Sequence, residues 1–322
     1  MRAYRRWKPD AQPPCGYTLP GVISRAARLL GPILLVGAVV AACSGIVYRS
    51  WSRRAPLPAR RAVSAPPPPS TGWPNRAAHL AAPSLVFPAD FGVRRVYVDA
   101  GHGAPGNPGN TSCFCVAEED FTLFAARELA ERLEATGHFL ARTSRDGAEP
   151  VEYRDRIDEA AQWGADAFVS LHSDVRSRAD RWSPRPGASC PVSYAAPGFS
   201  VIYSDDGDAS RVLARQRLAR ATARRLTATG LLPYGGAGYA PLYDADAAEA
   251  GVFLDRHPSE QRIFVLYRPA MPAILIETHH ALDPREAERW EEDETLDAFA
   301  AATGAALVEA LGPARRVAAD IP

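Results

Sequence analysis

The stretch Val96–Gly103, "VYVDAGHG", decides the fold. Three apolar residues, Val96–Val98, are followed by Asp99 and then by His102, which has a glycine on each side. A short apolar run is typical of a buried strand, and flanking glycines let the backbone turn sharply. The stretch therefore predicts a strand whose carboxyl end presents a histidine.

The same arrangement recurs twice, where the apolar run Ala167–Leu171 leads to His172 and Ala273–Ile276 leads to Glu277. Between these runs the spacing of apolar residues indicates helices and further strands. Predicted helices cover Glu118–Thr136, Tyr153–Trp163, Ala209–Thr229 and part of 284–311, and further predicted strands cover Phe139–Ala141, Ser200–Tyr203 and Ile263–Tyr267. This order predicts one α/β domain with a mainly parallel, twisted sheet flanked by helices. Because ligands bind beyond the carboxyl ends of such strands, the residues that follow them are expected to converge.

Charge is distributed unevenly along the 322 residues. Residues 1–80 hold twelve basic residues and one acidic residue, whereas the remainder holds 25 basic and 36 acidic residues. Nucleic-acid binding needs a basic surface that neutralises phosphates. The acidic body therefore argues against a nucleic-acid partner.

The amino-terminal region has an uncharged segment, Leu29–Tyr48, which is long enough to span a bilayer. Within it, Val40–Cys43 fits a bacterial lipobox, in which Cys43 would be lipidated. A cleaved signal peptide, an uncleaved anchor and a buried core helix are the alternatives. The anchor is favoured by the apolar residues that follow Cys43, and the core helix is disfavoured by the basic flanks.

These features divide the chain into five expected parts. They are a basic segment 1–28, a transmembrane or lipoprotein-signal segment 29–48, a proline-rich linker 49–84, a folded domain 85–313 and a tail 314–322. The arginines after residue 48 do not favour export by the positive-inside rule. The cysteines and the chemistry described below are the reasons to expect that the folded domain is exported.

Two of the seven histidines, His102 and His172, directly follow predicted strands, and Glu118 opens the first predicted helix. Two imidazoles and one carboxylate, with a fourth position for water, form the ligand set of a catalytic zinc site. Glu118 is also explained as an ordinary acidic residue at a helix amino terminus. The other candidate site is Glu277 with the adjacent His279 and His280.

Four short blocks resemble the zinc-dependent N-acetylmuramoyl-L-alanine amidases of the amidase_3 type, over about residues 94–311. They are "VYVDAGHGAPGNPG", "EEDFTL", "FVSLHSD" and "MPAILIETHHALDPREA", in that order. The resemblance implies that His102, Glu118 and His172 bind one Zn²⁺ per chain and that Glu277 is the catalytic carboxylate. Glu119 is the competing choice for the second ligand.

The resemblance also implies the reaction, which is hydrolysis of the amide between N-acetylmuramic acid and L-alanine in peptidoglycan. A metal-bound water would attack, with Glu277 as the general base. The alternatives are a zinc peptidase or amidohydrolase of the same fold that acts on another amide, and a catalytically silent cell-wall-binding protein. Peptidoglycan is the expected partner, the membrane is a second one, and an activator protein is a further candidate.

The chain departs from the family after Glu277, where His279 and His280 replace a Gly and a Phe. Three interpretations stay open. The histidines orient substrate or share a proton, they are satisfied polar residues in the loop after the strand, or they bind a second metal.

Cysteines are the second departure. Cys113 and Cys115 lie between two proposed ligands, and Cys190 lies in an insertion, residues 176–198, that could gate the cleft. Cys190 is expected to form a disulfide with Cys113 or Cys115. The alternative is that Cys113 or Cys115 binds zinc together with a histidine and a glutamate. A disulfide indicates an oxidising compartment, so the domain is expected on the periplasmic side of the cell envelope, anchored to the membrane.

Overall fold

The computed structural model describes residues 72–147 and 149–312. Nine strands are β1 Arg94–Ala100, β2 Phe139–Thr143, β3 Ala167–Asp174, β4 Asp180–Trp182, β5 Cys190–Val192, β6 Ser200–Tyr203, β7 Tyr243–Ala245, β8 Val252–Asp255 and β9 Ala273–His280. Six α-helices are α1 Glu118–Glu134, α2 Tyr153–Trp163, α3 Ala209–Thr229, α4 Phe264–Tyr267, α5 Pro284–Arg289 and α6 Asp293–Leu311. Both counts refer to the described residues.

Seven of the described strands form one sheet in the order β2-β1-β3-β9-β6-β8-β7, and β4 pairs with β5 in a separate hairpin. Strands β2, β1, β3 and β9 are parallel, as are β6 and β8. The expectation of a mainly parallel sheet is confirmed for four of the six strand pairs. The sheet is nevertheless mixed, because β6 runs antiparallel to β9 and β7 runs antiparallel to β8. The link between β7 and β8 is too short for the crossover that a parallel pair requires. The fold is a mixed α/β domain.

Helices cover both faces of the sheet, which explains the continuous apolar runs of the central strands. One face packs Val96, Val98 and Ile274 against α1, α3 and α6. The other face packs Tyr97 and Phe168 against α2. The sheet core therefore holds the ends of β1, β3 and β9 in fixed positions.

One predicted strand is wrong. Residues 263–267 were expected to be extended, but Phe264–Tyr267 form a single helical turn, α4. A short apolar run does not distinguish a strand from a buried helical turn.

An amino-terminal clasp, formed by Trp73, Glu286 and Arg289, binds the residues before β1 to the domain. The buried Trp73 indole donates to Glu286 Oε1 at 2.5 Å, and the Arg289 guanidinium donates to the carbonyls of Asn75, Arg76 and Ala78. The expected boundary at residue 85 thus lies inside the packed region. Proline content predicted an extended tether, but Trp73 and Leu80 supply apolar surface that the domain buries.

Glu286 connects three parts of the chain. Besides the Trp73 indole, the backbone N–H of Gly198 donates to Oε1 at 2.8 Å and the backbone N–H of His280 donates to Oε2 at 2.9 Å. Burial raises the pKa of Glu286 to about 7, against the lowering effect of the Trp73 hydrogen bond. The clasp therefore meets the end of β9, the strand that carries Glu277.

Candidate active site

The backbone around His102 lets the candidate ligand residues approach one another. His102 has φ +61°, a left-handed conformation that is uncommon outside glycine. A Cβ on Gly101 would lie 2.4 Å from His172 Nε2, and a Cβ on Gly109 would lie 2.6 Å from Glu118 Oε2. These glycines are therefore required for the imidazoles and the carboxylate to come together.

His102, Glu118 and His172 form the one group of potential metal ligands within residues 72–147 and 149–312. One ligand atom from each lies within 4.8 Å of the others. His102 Nε2 is 3.1 Å from Glu118 Oε2, and His172 Nδ1 is 3.2 Å from Glu118 Oε1. The structure thus brings together residues from the end of β1, the start of α1 and the end of β3. Glu119 is not a member of this group.

Two asparagines hold these side chains in place. Asn107 Oδ1 is 3.0 Å from His102 Nδ1, and Asn107 Nδ2 donates to the Tyr153 hydroxyl at 2.9 Å. Asn110 donates to Glu118 Oε2 from its backbone N–H at 3.0 Å and from Nδ2 at 2.7 Å. Both asparagines were missed from the sequence, although their position in the glycine-rich loop after His102 was a usable signal.

The charge state of Glu118 follows from these contacts. Burial alone would raise its pKa, but hydrogen bonds with His102 and His172 outweigh burial and hold the pKa well below its ordinary range. The backbone N–H of Ser173 also donates to Oε1 at 3.0 Å. Glu118 is therefore an ionised carboxylate, the form that binds cations.

Glu277 lies in β9, directly opposite His172 of β3 and Ser200 of β6. Its Oε2 atom is buried and has no hydrogen-bond partner among the described residues. Burial, followed by the negative charges of Asp174 and Glu118, raises the pKa of Glu277 well above its ordinary value. This carboxyl group has a high proton affinity and one free oxygen next to the ligand group.

A polar network supports the strands behind Glu277. Arg176 Nε donates to Asp174 Oδ2 at 2.7 Å, and the Tyr239 hydroxyl donates to the same oxygen at 2.5 Å. Arg176 also donates to Ser200 Oγ at 3.1 Å. No local sequence pattern identifies Arg176 or Tyr239, because their contacts join segments far apart in the chain.

A family model described as N-acetylmuramoyl-L-alanine amidase, Amidase_3, matches residues 96–309. This chain belongs to that family. The match begins within β1 and ends within α6, so it includes all three grouped ligands and Glu277.

Solved structures show the same fold as this amidase chain. Ami1 from Mycobacterium smegmatis has a TM-score of 0.53 at 19% identity, over 69% of this chain and 99% of that one. Ami1 from Mycobacterium abscessus has a TM-score of 0.53 at 18% identity, over 69% and 100%. An N-acetylmuramoyl-L-alanine amidase from Clostridium difficile 630 has a TM-score of 0.50 at 20% identity, over 67% and 95%. No match was found among curated proteins.

His279 and His280 of this amidase chain are buried residues of β9 and do not lie in a loop. The His279 ring packs against Phe121 and Trp290, at centroid distances of 4.9 and 5.8 Å. Burial lowers the pKa of His279 to about 3 and that of His280 to about 4. Both histidines are neutral parts of the amidase core, and neither belongs to the ligand group. A substrate-orienting role for them stays a prediction.

The structure forms a disulfide between Cys115 and Cys190 and leaves Cys113 as a buried thiol. Burial raises the pKa of the Cys113 thiol, which disfavours the thiolate that a metal ligand requires. The disulfide therefore ties the loop before α1 to the 176–198 insertion at the edge of the amidase site.

No helix within the described residues has both the length and the apolar character to cross a bilayer. The expected span 29–48 and the candidate lipidation residue Cys43 lie outside the described residues, as do the segments 1–28 and 314–322.

Proposed function

We propose that this chain is a zinc-dependent hydrolase that cleaves the amide between the lactyl group of N-acetylmuramic acid and L-alanine in peptidoglycan. One observation carries the proposal. His102, Glu118 and His172, contributed by three separate motifs, converge within 4.8 Å beside Glu277 in a chain of the amidase family.

The donor set fits zinc. Two imidazole nitrogens and an ionised carboxylate oxygen match the protein ligands of catalytic zinc sites. Asn107 Oδ1 accepts from His102 Nδ1, so a neutral His102 keeps its proton there and would offer the Nε2 lone pair to a metal held together with Glu118. Bound zinc would supply Lewis acidity, which polarises the amide carbonyl and lowers the pKa of water to about 7.

Glu277 is the proton carrier in this proposal. Its free oxygen is placed to accept a proton from the attacking water and to hold that proton until the amine leaves. The same carboxyl group then donates the proton to the leaving amine nitrogen, because an amine leaves readily only when protonated. One residue thereby acts as general base and then as general acid.

Digestion of purified peptidoglycan tests the function. The chain loaded with zinc is expected to release intact stem peptides with a free L-alanine amino group, identified by mass spectrometry of the soluble products. Cleavage within the peptide would instead indicate a zinc peptidase. A chain that holds no zinc and only co-sediments with peptidoglycan would indicate a binding protein.

We further propose that the domain works on the periplasmic side of the cell envelope, tethered to the membrane through residues 29–48 or a lipidated Cys43. The Cys115–Cys190 disulfide supports an oxidising compartment. The uncharged segment with basic flanks supports the tether.

Asn107→Leu is expected to weaken zinc binding about tenfold, because His102 loses the acceptor that fixes its tautomer and ring orientation. Competition with a chromogenic chelator measures the dissociation constant. Tyr153→Phe is the matched control, since it removes the hydrogen bond to Asn107 Nδ2 but leaves Oδ1 in place. Equal zinc affinity in wild type and Asn107→Leu would contradict the assignment.

A further inference from the structure

The 176–198 insertion is a hairpin that is fixed rigidly beside the ligand group. It leaves β3 two residues after Asp174 and rejoins the sheet at Ser200, which pairs with Glu277. The Cys115–Cys190 disulfide attaches it to the loop that precedes Glu118. Both attachments therefore place the base of the hairpin at the proposed catalytic site.

Further contacts hold the two hairpin strands against the domain. The Trp182 indole donates to the Cys113 carbonyl at 2.6 Å, and its ring lies 5.7 Å from that of Phe114. Ser177 and Ser193 hydroxyls lie 2.8 Å apart across the hairpin. These contacts preorganise the hairpin backbone, so binding there has to order side chains but not the backbone.

The hairpin also carries unpaired positive charge. Residues 72–147 and 149–312 contain 24 arginines and 35 acidic residues. Within this described part, every arginine guanidinium has a hydrogen bond, an ion pair or a ring contact, except those of Arg178, Arg185 and Arg217. Two of these three exposed arginines lie on the hairpin, and the third lies on α3.

At the tip of the hairpin, two hydrogen bonds fix the backbone at Arg185. The Ser183 hydroxyl donates to the Arg185 carbonyl at 2.8 Å, and the Ala188 N–H donates to the same oxygen at 3.1 Å. On β4, Arg181 Nε donates to Ser189 Oγ at 3.1 Å. The hairpin thus presents two free guanidinium groups from a fixed backbone in a body with an excess of carboxylates.

We propose that Arg178 and Arg185 bind carboxylate groups of the substrate's stem peptide and so contribute to substrate affinity. A guanidinium group matches a carboxylate through two parallel hydrogen bonds. The uncharged sugars of the glycan strand offer no such anion, whereas the peptide does. This inference rests on the proposed function, because it takes peptidoglycan as the substrate.

The test compares the double variant Arg178→Gln/Arg185→Gln with Arg217→Gln, which removes an equally exposed charge from α3. Hydrolysis is measured on intact peptidoglycan and on peptidoglycan whose carboxylates have been amidated chemically. The double variant is expected to raise KM about tenfold on the intact substrate with kcat nearly unchanged. Arg217→Gln is expected to behave as wild type.

On the amidated substrate, wild type and double variant are expected to have the same KM. Added salt is expected to weaken binding of wild type more than that of the double variant, because salt screens exposed charges. Co-sedimentation with intact peptidoglycan provides a readout that does not need catalysis.

Two results would overturn the inference. The first is a double variant indistinguishable from Arg217→Gln in both KM and co-sedimentation. The second is a wild-type advantage that persists on amidated peptidoglycan, which would assign the arginines to another anion such as a wall-polymer phosphate. If no variant, including wild type, releases stem peptides, the proposed function fails, whereas co-sedimentation still decides the role of the arginines.

Discussion

Glu277→Gln is expected to lower hydrolysis of peptidoglycan about a thousandfold while zinc content stays at the wild-type level. Glutamine has nearly the same shape but neither accepts a proton from water nor donates one to the leaving amine. Glu277 is not one of the three residues whose ligand atoms converge, so zinc should be retained.

Initial rates of stem-peptide release and elemental analysis of the same preparation check this result. Thermal unfolding of the variant confirms that strand β9 is intact. Loss of zinc from Glu277→Gln would assign this carboxylate to the metal and refute the role proposed for it. Substantial residual turnover with zinc bound would identify another residue as the proton carrier.

Glu118→Gln is expected to weaken zinc binding more than about a hundredfold, which is a larger loss than removal of a supporting residue causes. Hydrolytic activity is expected to disappear together with the zinc. The ionised carboxylate is replaced by a neutral amide, so the group of three ligands loses its one negative charge. Zinc content after dialysis and the dissociation constant in chelator competition are the measurements.

Glu119→Gln is the matched control for this experiment, because Glu119 is the adjacent carboxylate and was the competing ligand in the sequence. Wild-type zinc affinity is expected for it. The assignment would be reversed if Glu119→Gln lost zinc and Glu118→Gln kept it.

The convergence of His102, Glu118 and His172 could be predicted because each lies at the end or the start of a strongly patterned element. Val96–Val98 and Ala167–Leu171 are apolar runs that end at His102 and His172, and parallel strands place their carboxyl ends at one edge of the sheet. The start of α1 at Glu118 was equally visible, since three acidic residues open the helix.

Sheet direction was harder to predict, because it depends on pairing between distant segments. Nothing local in Ser200–Tyr203 indicates that β6 runs antiparallel to β9. The end of β9 was misplaced for a different reason. His279 and His280 are polar in sequence, but the ring of His279 is buried against aromatic side chains and the strand continues through both residues.

The cysteine pairing also depended on three-dimensional information. Cys113 and Cys115 are close in sequence, so either could approach Cys190. In the structure, Cys113 is fully buried and Cys115 adopts a left-handed backbone with φ +59°. This turn directs the two side chains to different surroundings, which spacing alone does not reveal.

The amino-terminal clasp has a mechanical consequence. Tension that enters the domain at residue 72 is taken up first by the bond from the Trp73 indole to Glu286 and by the three carbonyl bonds of Arg289. These bonds are distributed along a short stretch of chain and share the load. Because Glu286 also binds the end of β9, the clasp would have to rupture before a pull from that side could displace the strand that carries Glu277. Under the proposed tether, the clasp would thus protect the catalytic geometry while the domain works on a rigid, insoluble polymer.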